Sequence, residues 1–392
     1  MVPHQPAAQA MPRMMIFACF LVATPAAACP FCTAVRPSLT QRREAAAVAA
    51  LGELTAVGKL ALVFEVHQVQ KGGERLAAGE TIEIAVDDAA GPRAAAKPGT
   101  LVLLWANAPG KPAGNAALEW SWEILTEVSY AYLARAPGLN VPVAKRLAYF
   151  APFLEHREPL LADDAYLEFG HATYDEVAQV ADKLSSGSLR AWLRDPNVPP
   201  ERKGFYGLAL GLPGDDDQRA ANAAFLRNEI LRPANDFRAG FDGLLGGYLM
   251  AAGAPALELI ERNFLADPKA AEGDVRHAIT ALRFYHQYGH EIPDERLKRA
   301  LRRLLGRPEF AAMVIVDLAR WQDWEALRTV AGLFDKREFA EPATDRAIVG
   351  YLLAAPGEQG AEALAALRRR APKRVADAEK ALAAFGGPRQ DQ

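Results

Sequence analysis

From residue 47 to about 132 the apolar residues recur at every second position or in short unbroken runs. Beyond 143 the interval lengthens to three or four. A period of two puts alternate side chains on opposite faces of a strand, and a period of 3.6 lines one face of a helix. The first pattern predicts strands over 47–57, 60–69, 81–86, 100–105 and 118–128. In the second of these Phe64, Val66 and Gln68 alternate with Glu65, His67 and Val69, and in the third Ile82, Ile84 and Val86 alternate with Glu83 and Ala85. The run 100–105 is apolar throughout, as suits a strand buried on both faces. Lys71-Gly-Gly73, Asp87-Asp88, Gly91-Pro92, Pro98-Gly99 and Pro109-Gly110 supply the turns. With a short helix over 39–44, five strands at this spacing predict a small closed antiparallel β-barrel of the OB type within 29–135.

Residues 136–142, Ala136-Pro-Gly-Leu-Asn-Val-Pro142, read as a linker. The helical pattern then predicts helices over 143–154, 161–169, 174–184 and 200–212, with Thr173, Asp216 and Asp323 placed as N-caps. The apolar stretch from Leu244 to Ile260 is interrupted by Gly246, Gly247, Gly253 and Pro255, and reads as two buried helices meeting at a turn. A repeat runs through this half. Leu208, Leu244, Ile279, Ile315 and Val349 stand at intervals of 36, 35, 36 and 34 residues, each followed within four residues by Leu212, Tyr248, Leu282, Leu318 or Leu352. A second helix closes each unit, marked by Phe225-Leu226, Leu259-Ile260, Leu301 with Leu304, Val330 with Leu333, and Leu364 with Leu367. Two helices per unit at a period near 35 predict an α-solenoid of HEAT-like helix pairs over 143–386, with 387–392 as a tail. The fold class expected is α+β and multidomain: the small barrel, then the solenoid.

Ahead of both lie Arg13, the apolar run from Met14 to Ala23, and Thr24-Pro-Ala-Ala-Ala28, a secretory leader over 1–28 with cleavage before Cys29. The run is too short to span a bilayer. Cys19 leaves with the leader, so the mature chain would begin Cys29-Pro-Phe-Cys32 and work outside the cytoplasm, in the periplasm or cell envelope or as a secreted protein. Four readings of that pair stay open: a disulfide or idle thiols at a chain end; acylation of Cys29 as a lipid anchor; a redox motif, which needs a preceding strand and a helix N-terminus; and half of a metal site, which needs two more ligands.

The order of Cys29-x-x-Cys32, Pro37-Ser38, a short helix and Val48-Ala-Ala-Leu-Gly-Glu53 resembles the start of a netrin-like module, the OB fold shared with the tissue inhibitors of metalloproteinases. Val63-Phe-Glu-Val-His-Gln-Val-Gln-Lys-Gly72 resembles its second strand and Gly99-Thr-Leu-Val-Leu-Leu104 its fourth. The family opens Cys-x-Cys and bridges those cysteines to downstream partners that this chain lacks. The resemblance implies protease inhibition through the amine and carbonyl of Cys29. The whole chain is also similar to uncharacterised exported bacterial proteins with HEAT-like repeats, on Asp164-Ala-Tyr-Leu-Glu-Phe169, Asp195-Pro-Asn-Val-Pro-Pro-Glu-Arg202 and Phe205-Tyr-Gly-Leu-Ala-Leu-Gly-Leu212. That likeness brings no activity with it.

Composition changes the picture in one respect. A formal net charge of −3 supplies no basic footprint for nucleic acid. Arg296, Lys298, Arg299, Arg302 and Arg303, and Arg368-Arg-Arg370, read as solvated faces, with an anionic partner or membrane surface as the alternative. Trp120 and Trp122 fall on one face of a strand and read as packing, with a carbohydrate platform as the alternative. Asp215-Asp-Asp217 is half a calcium loop without its glycine and closing glutamate, and reads as a helix start. His286-x-x-x-His290 has metal-ligand spacing on one helical face, with His277 or Glu291 as a third ligand, but not the His-Glu-x-x-His order, and it reads otherwise as a polar helix end before Pro293. No hydrolase elbow, phosphate loop or haem attachment motif occurs. The sequence therefore assigns no catalytic residue, no cofactor and no metal. It predicts a non-catalytic binding scaffold of the cell envelope recognising a protein or envelope polymer, touching membrane only through a lipid on Cys29. The alternatives are a metal-dependent hydrolase at His286/His290 and the inhibitor reading of Cys29.

Overall fold

The computed structural model of the chain describes residues 36–85, 97–107, 118–212, 214–233 and 238–386. The leader, Cys29, Cys32 and the tail lie outside the described residues. A helix α1 (Leu39–Ala45) opens on a capping box. The Ser38 hydroxyl accepts from Gln41 N and the Gln41 side chain accepts from Ser38 N. Five strands follow, β1 (Val48–Val57), β2 (Ala61–Lys71), β3 (Thr81–Ala85), β4 (Thr100–Asn107) and β5 (Glu119–Ile124), all antiparallel in the order β3-β2-β1-β4-β5.

This sheet curls into a half-barrel. Val48, Ala50, Leu54, Leu62, Phe64, Val66, Ile82, Ile84, Val102, Leu104 and Ala106 line its hollow, with Trp120 and Trp122 against them. The closed barrel expected from the strand count does not form among the described residues. β3 and β5 are the two edges, and the ladders join only neighbours in the stated order. Both edge strands are short, five and six residues. The opposite face of β1 and β4, with Leu51, Leu103 and Trp105, belongs to a second core shared with the helices. The strict alternation expected along β2 also breaks. Leu51 pairs with Gln68 and Gly52 with Val66, leaving His67 as a bulge. Phe64 and Val66 therefore face the hollow, and after the bulge Val69 does so instead of Gln68.

Strand pairing stops at Ile124, not at Val128. Thr126 and Ser129 form a second capping box, and α2 (Glu127–Arg135) buries Ser129, Tyr132 and Leu133. The helices α3 (Val143–Phe150), α4 (Pro159–Gly170), α5 (Tyr174–Ala178), α6 (Ser186–Arg194) and α7 (Pro200–Ala209) come next. Where one helix was expected over 174–184, α5 stops at Ala178 and a short 3-10 turn covers Ala181–Lys183. Helices α8 (Asp216–Ile230), α9 (Phe241–Ala252), α10 (Ala254–Ile260), α11 (Glu272–Tyr288) and α12 (Asp294–Arg302) are followed by α13 (Pro308–Arg320), α14 (Leu327–Leu333), α15 (Pro342–Ala354), α16 (Glu358–Arg370) and α17 (Pro372–Gly386). The break expected between Leu244 and Ile260 is present: α9 and α10 meet at Gly253, whose φ of +57° favours glycine. No helix among the described residues is long and apolar enough to cross a membrane.

The repeat positions Leu208, Leu244, Ile279, Ile315 and Val349 fall on α7, α9, α11, α13 and α15. α7 packs on α9, α9 on α11, α13 on α15 and α15 on α17. Side-chain pairs cross between units at the repeat interval. Arg194–Glu229, Arg238–Asp274, Arg296–Glu261 and Arg370–Asp335 lie 35 or 36 residues apart, and Arg283–Asp317 lies 34 apart. A longer internal match underlies the tightest contact. Arg202-x-Gly204-Phe205-x-Gly207-Leu208-x-x-Gly211 recurs 36 residues on as Arg238-x-Gly240-Phe241-x-Gly243-Leu244-x-x-Gly247. The glycines of α7 and α9 face one another with their backbones in contact.

Candidate functional site

Two places gather polar side chains from separate elements, a groove across the helical units and a clamp on the segment before α1. The groove holds one of the residues singled out by spacing. α11 ends at Tyr288, and beyond Gly289 the chain turns back because the Tyr285 hydroxyl accepts from both Glu291 N and Ile292 N, each at 3.1 Å. Pro293 follows, which cannot continue a helix. His290 has thus left the helix and does not share a face with His286, as the spacing had predicted. His286 lies flat on Trp321, with ring centres 4.1 Å apart. His277 stands 3.5 Å from an Asp242 carboxylate oxygen and edge-on to Phe241. The three imidazoles point three ways, and among the described residues no group of three or more His, Cys, Asp or Glu side chains is arranged to hold a metal.

His290 and Glu291 instead line a groove of about 280 Å³ with Gly211 and Leu212 after α7, Arg219 on α8, Met250 near the end of α9, and Tyr285 and Tyr288 on α11. The Arg219 guanidinium donates to the carbonyls of Ala251 and Met250 at 2.9 and 3.3 Å and to Glu291 at 2.5 Å. It is a cation at the carbonyl end of α9, where the helix dipole favours it. Tyr288 rests on Tyr174 of α5 and on Phe284, at 4.8 and 5.1 Å. Burial pushes the hydroxyls of Tyr174 and Tyr288 above the ordinary phenol range, Tyr174 to about 12, so both stay neutral donors. The groove thus offers an exposed imidazole, the half-buried Tyr288 phenol and a half-exposed ion pair, its polar and aromatic side chains coming from α8, α11 and the turn after α11, with Met250 of α9 between them.

The clamp was not found from the sequence. α4 carries Asp163, Asp164 and Glu168, with His171 just past its end. Asp164 accepts from Leu39 N at 2.6 Å and from the Tyr132 hydroxyl at 2.7 Å. Glu168 accepts from the Ser38 hydroxyl at 2.6 Å and pairs with Arg146. Asp163 pairs with Arg36 at 3.0 Å, and His171 Nε2 lies 3.0 Å from the Arg36 carbonyl oxygen. Asp164 and Glu168 are 3% and 2% exposed, so both carboxylates depend on these partners. Burial outweighs the hydrogen bonds at Asp164 and pushes its carboxyl up to about 6. The available signal was Asp164-x-x-x-Glu168, two carboxylates on one face of an apolar helix.

The remaining predicted positions fall as follows. Asp215 caps α8, accepting from Gln218 N at 2.8 Å, where Asp216 had been expected. Thr173 caps α5 as expected. Asp323 caps nothing with its side chain and instead takes Arg302, being 2% exposed. Arg296 holds both oxygens of Glu261, Arg368 holds Glu379 and Arg370 holds Asp335. Trp122 packs against Phe64 at 5.5 Å inside the half-barrel. No protein-family model matches the chain, and no curated protein matches it.

Proposed function

We propose that this chain is a non-catalytic binding scaffold of the cell envelope, exported by its leader. In this reading residues 143–386, α3 to α17, form a HEAT-like α-solenoid, and the half-barrel is an OB-like, netrin-like module at one end of it. One observation carries the reading: residues from three consecutive units converge on the groove around Tyr288 and His290. A repeat array builds binding surfaces in this way, each unit adding its share to a continuous face. The cross-unit ion pairs at 34 to 36 residues support the stacking, since equivalent positions of neighbouring units meet. The partner is a protein or envelope polymer that offers hydrogen-bonding groups and flat or apolar surface to phenols and an imidazole.

The test is a photoreactive residue in place of Tyr288, introduced in living cells, beside the same residue in place of Lys380 on α17. A discrete cross-linked species from position 288 alone, lost on adding His290→Ala, is the expected result. Equal or absent cross-linking at both positions overturns the proposal. N-terminal sequencing and mass of the mature protein test export: a start at Cys29 is expected, and an added diacylglyceryl mass assigns the anchor.

A further inference from the structure

A second concavity, of about 550 Å³, lies between α1, β5 and α4. Its apolar lining comes from Pro37 and Leu39 at the start of α1 and from Leu160 and Leu167 on α4. Five charged groups border it: Arg36, Arg42, Glu123, Asp163 and Asp164. Three of these are already matched. Arg36 pairs with Asp163, which also receives Arg202, and Asp164 takes Leu39 N and the Tyr132 hydroxyl. Arg42 and Glu123 remain. The Arg42 guanidinium lies over the Trp105 indole, 3.7 Å from the ring centre, and makes no hydrogen bond or ion pair among the described residues. An arginine held this way keeps its rigid fork of N–H donors oriented for a carboxylate.

Glu123 is the carboxylate that β5 brings to the cleft. Trp105 pairs with Ser121 and Leu103 with Glu123, so Glu123 is the diagonal neighbour of Trp105 on the same face. Diagonal neighbours stand about 7 Å apart. Glu123 likewise has no hydrogen bond or ion pair among the described residues, and it does not pair with Arg42. One cation and one anion, neither paired among the described residues and both set about Trp105, thus overlook an apolar floor.

We propose that this cleft binds a free α-amino acid with an aliphatic side chain. The carboxylate lies on the Arg42 guanidinium, the ammonium on Glu123, and the side chain on Leu39, Leu160 and Leu167. An α-amino acid carries its two charges on groups attached to one carbon, which suits a cation and an anion that both flank the Trp105 ring. A ligand with one charge would leave the other protein charge unanswered. The inference is independent of the scaffold reading, since it uses none of the groove residues.

The test is isothermal titration of the full mature chain with L-leucine, 4-methylpentanoate and 3-methylbutylamine, three probes that share a tail and differ in charge. Leucine saturates in the millimolar range or below, and each singly charged probe binds about tenfold more weakly, the worth of one charge-assisted contact. Arg42→Gln reduces leucine binding to the level of 3-methylbutylamine, and Glu123→Gln to that of 4-methylpentanoate. Arg42→Lys keeps a charge without the planar fork and falls between. Both positions reach the surface, and an unchanged far-ultraviolet circular dichroism spectrum verifies that the variants fold. Absence of leucine binding, equal binding of all three probes, or wild-type affinity in either glutamine variant overturns the proposal.

Discussion

The imidazole of His286 lies on the indole of Trp321 with ring centres 4.1 Å apart and planes within 3° of parallel. The stack joins the last turn of α11 to Trp321, the residue just past α13, and so ties one unit to the next. Burial holds the imidazole below its ordinary range despite Asp294 nearby. The neutral ring is thus favoured in the folded protein, and the unfolded chain binds the proton more readily. Its contribution to stability is complete above pH 6.5 and declines as pH falls below that value. His286→Phe keeps the stack and removes this decline, while His286→Ala loses about 1–2 kcal/mol at neutral pH. Thermal unfolding of the three proteins between pH 5 and 8 checks both.

Asp164 has the opposite slope. Its carboxyl sits at about 6 in the fold against an ordinary value of 3.8, so the folded protein holds a proton that the unfolded chain releases. Stability from this group is therefore fully present below pH 3.8 and lost as pH rises through 6, about 3 kcal/mol in all. Asp164→Asn preserves an acceptor for Leu39 N and removes the titration. Denaturant unfolding at pH 4.5 and pH 7 should show the variant gaining on the wild type as pH rises; a constant difference would refute the assignment.

Gly243 tests the backbone contact between α7 and α9. A methyl group there would lie far inside the carbon–oxygen contact distance of the Gly204 carbonyl oxygen. Because backbone cannot rotate away as a side chain can, Gly243→Ala should cost about 3 kcal/mol or more. Gly332→Ala, on α14 with open space around it, should instead add up to about 1 kcal/mol through helix propensity. The two melting temperatures, moving in opposite directions, separate packing from propensity.

Arg283 caps the charge of Asp317, whose side chain is 2% exposed. Arg283→Met leaves that carboxylate buried without its cation, and a loss of about 2–3 kcal/mol is expected, reduced from the fully buried case because Arg283 reaches solvent. Adding Asp317→Leu should recover most of it. A double-mutant cycle by chemical unfolding measures the coupling.

Much of the helical half was legible because apolar positions kept both a 3.6 period and a constant spacing, so Leu208, Leu244, Ile279, Ile315 and Val349 marked their helices. α2 was hidden because Val128-Ser-Tyr-Ala-Tyr132 alternates like a strand, and the capping box at Thr126 outweighed that alternation. The bulge at His67 left no mark in composition, since it is set by the partner strand. The helix end before Pro293 was legible, but not that α11 stops at Tyr288, so that Gly289 parts His290 from the helical face its spacing shared with His286. The clamp on α4 was illegible for a different reason. The partners of Asp164 and Glu168 at Leu39 and Ser38 lie 125 and 130 residues upstream, beyond any local pattern.

The chain enters its described structure at Arg36, and four residues of α4 and its end hold the next few residues before any strand begins. Tension on the polypeptide ahead of Arg36 is therefore delivered to α4, while β1 stays slack behind the clamp. From Cys29 to Arg36 the chain can stretch no more than about 25 Å. A molecule moored at Cys29 would hang by its helical half on this short line, and the half-barrel would not be unravelled by the pull.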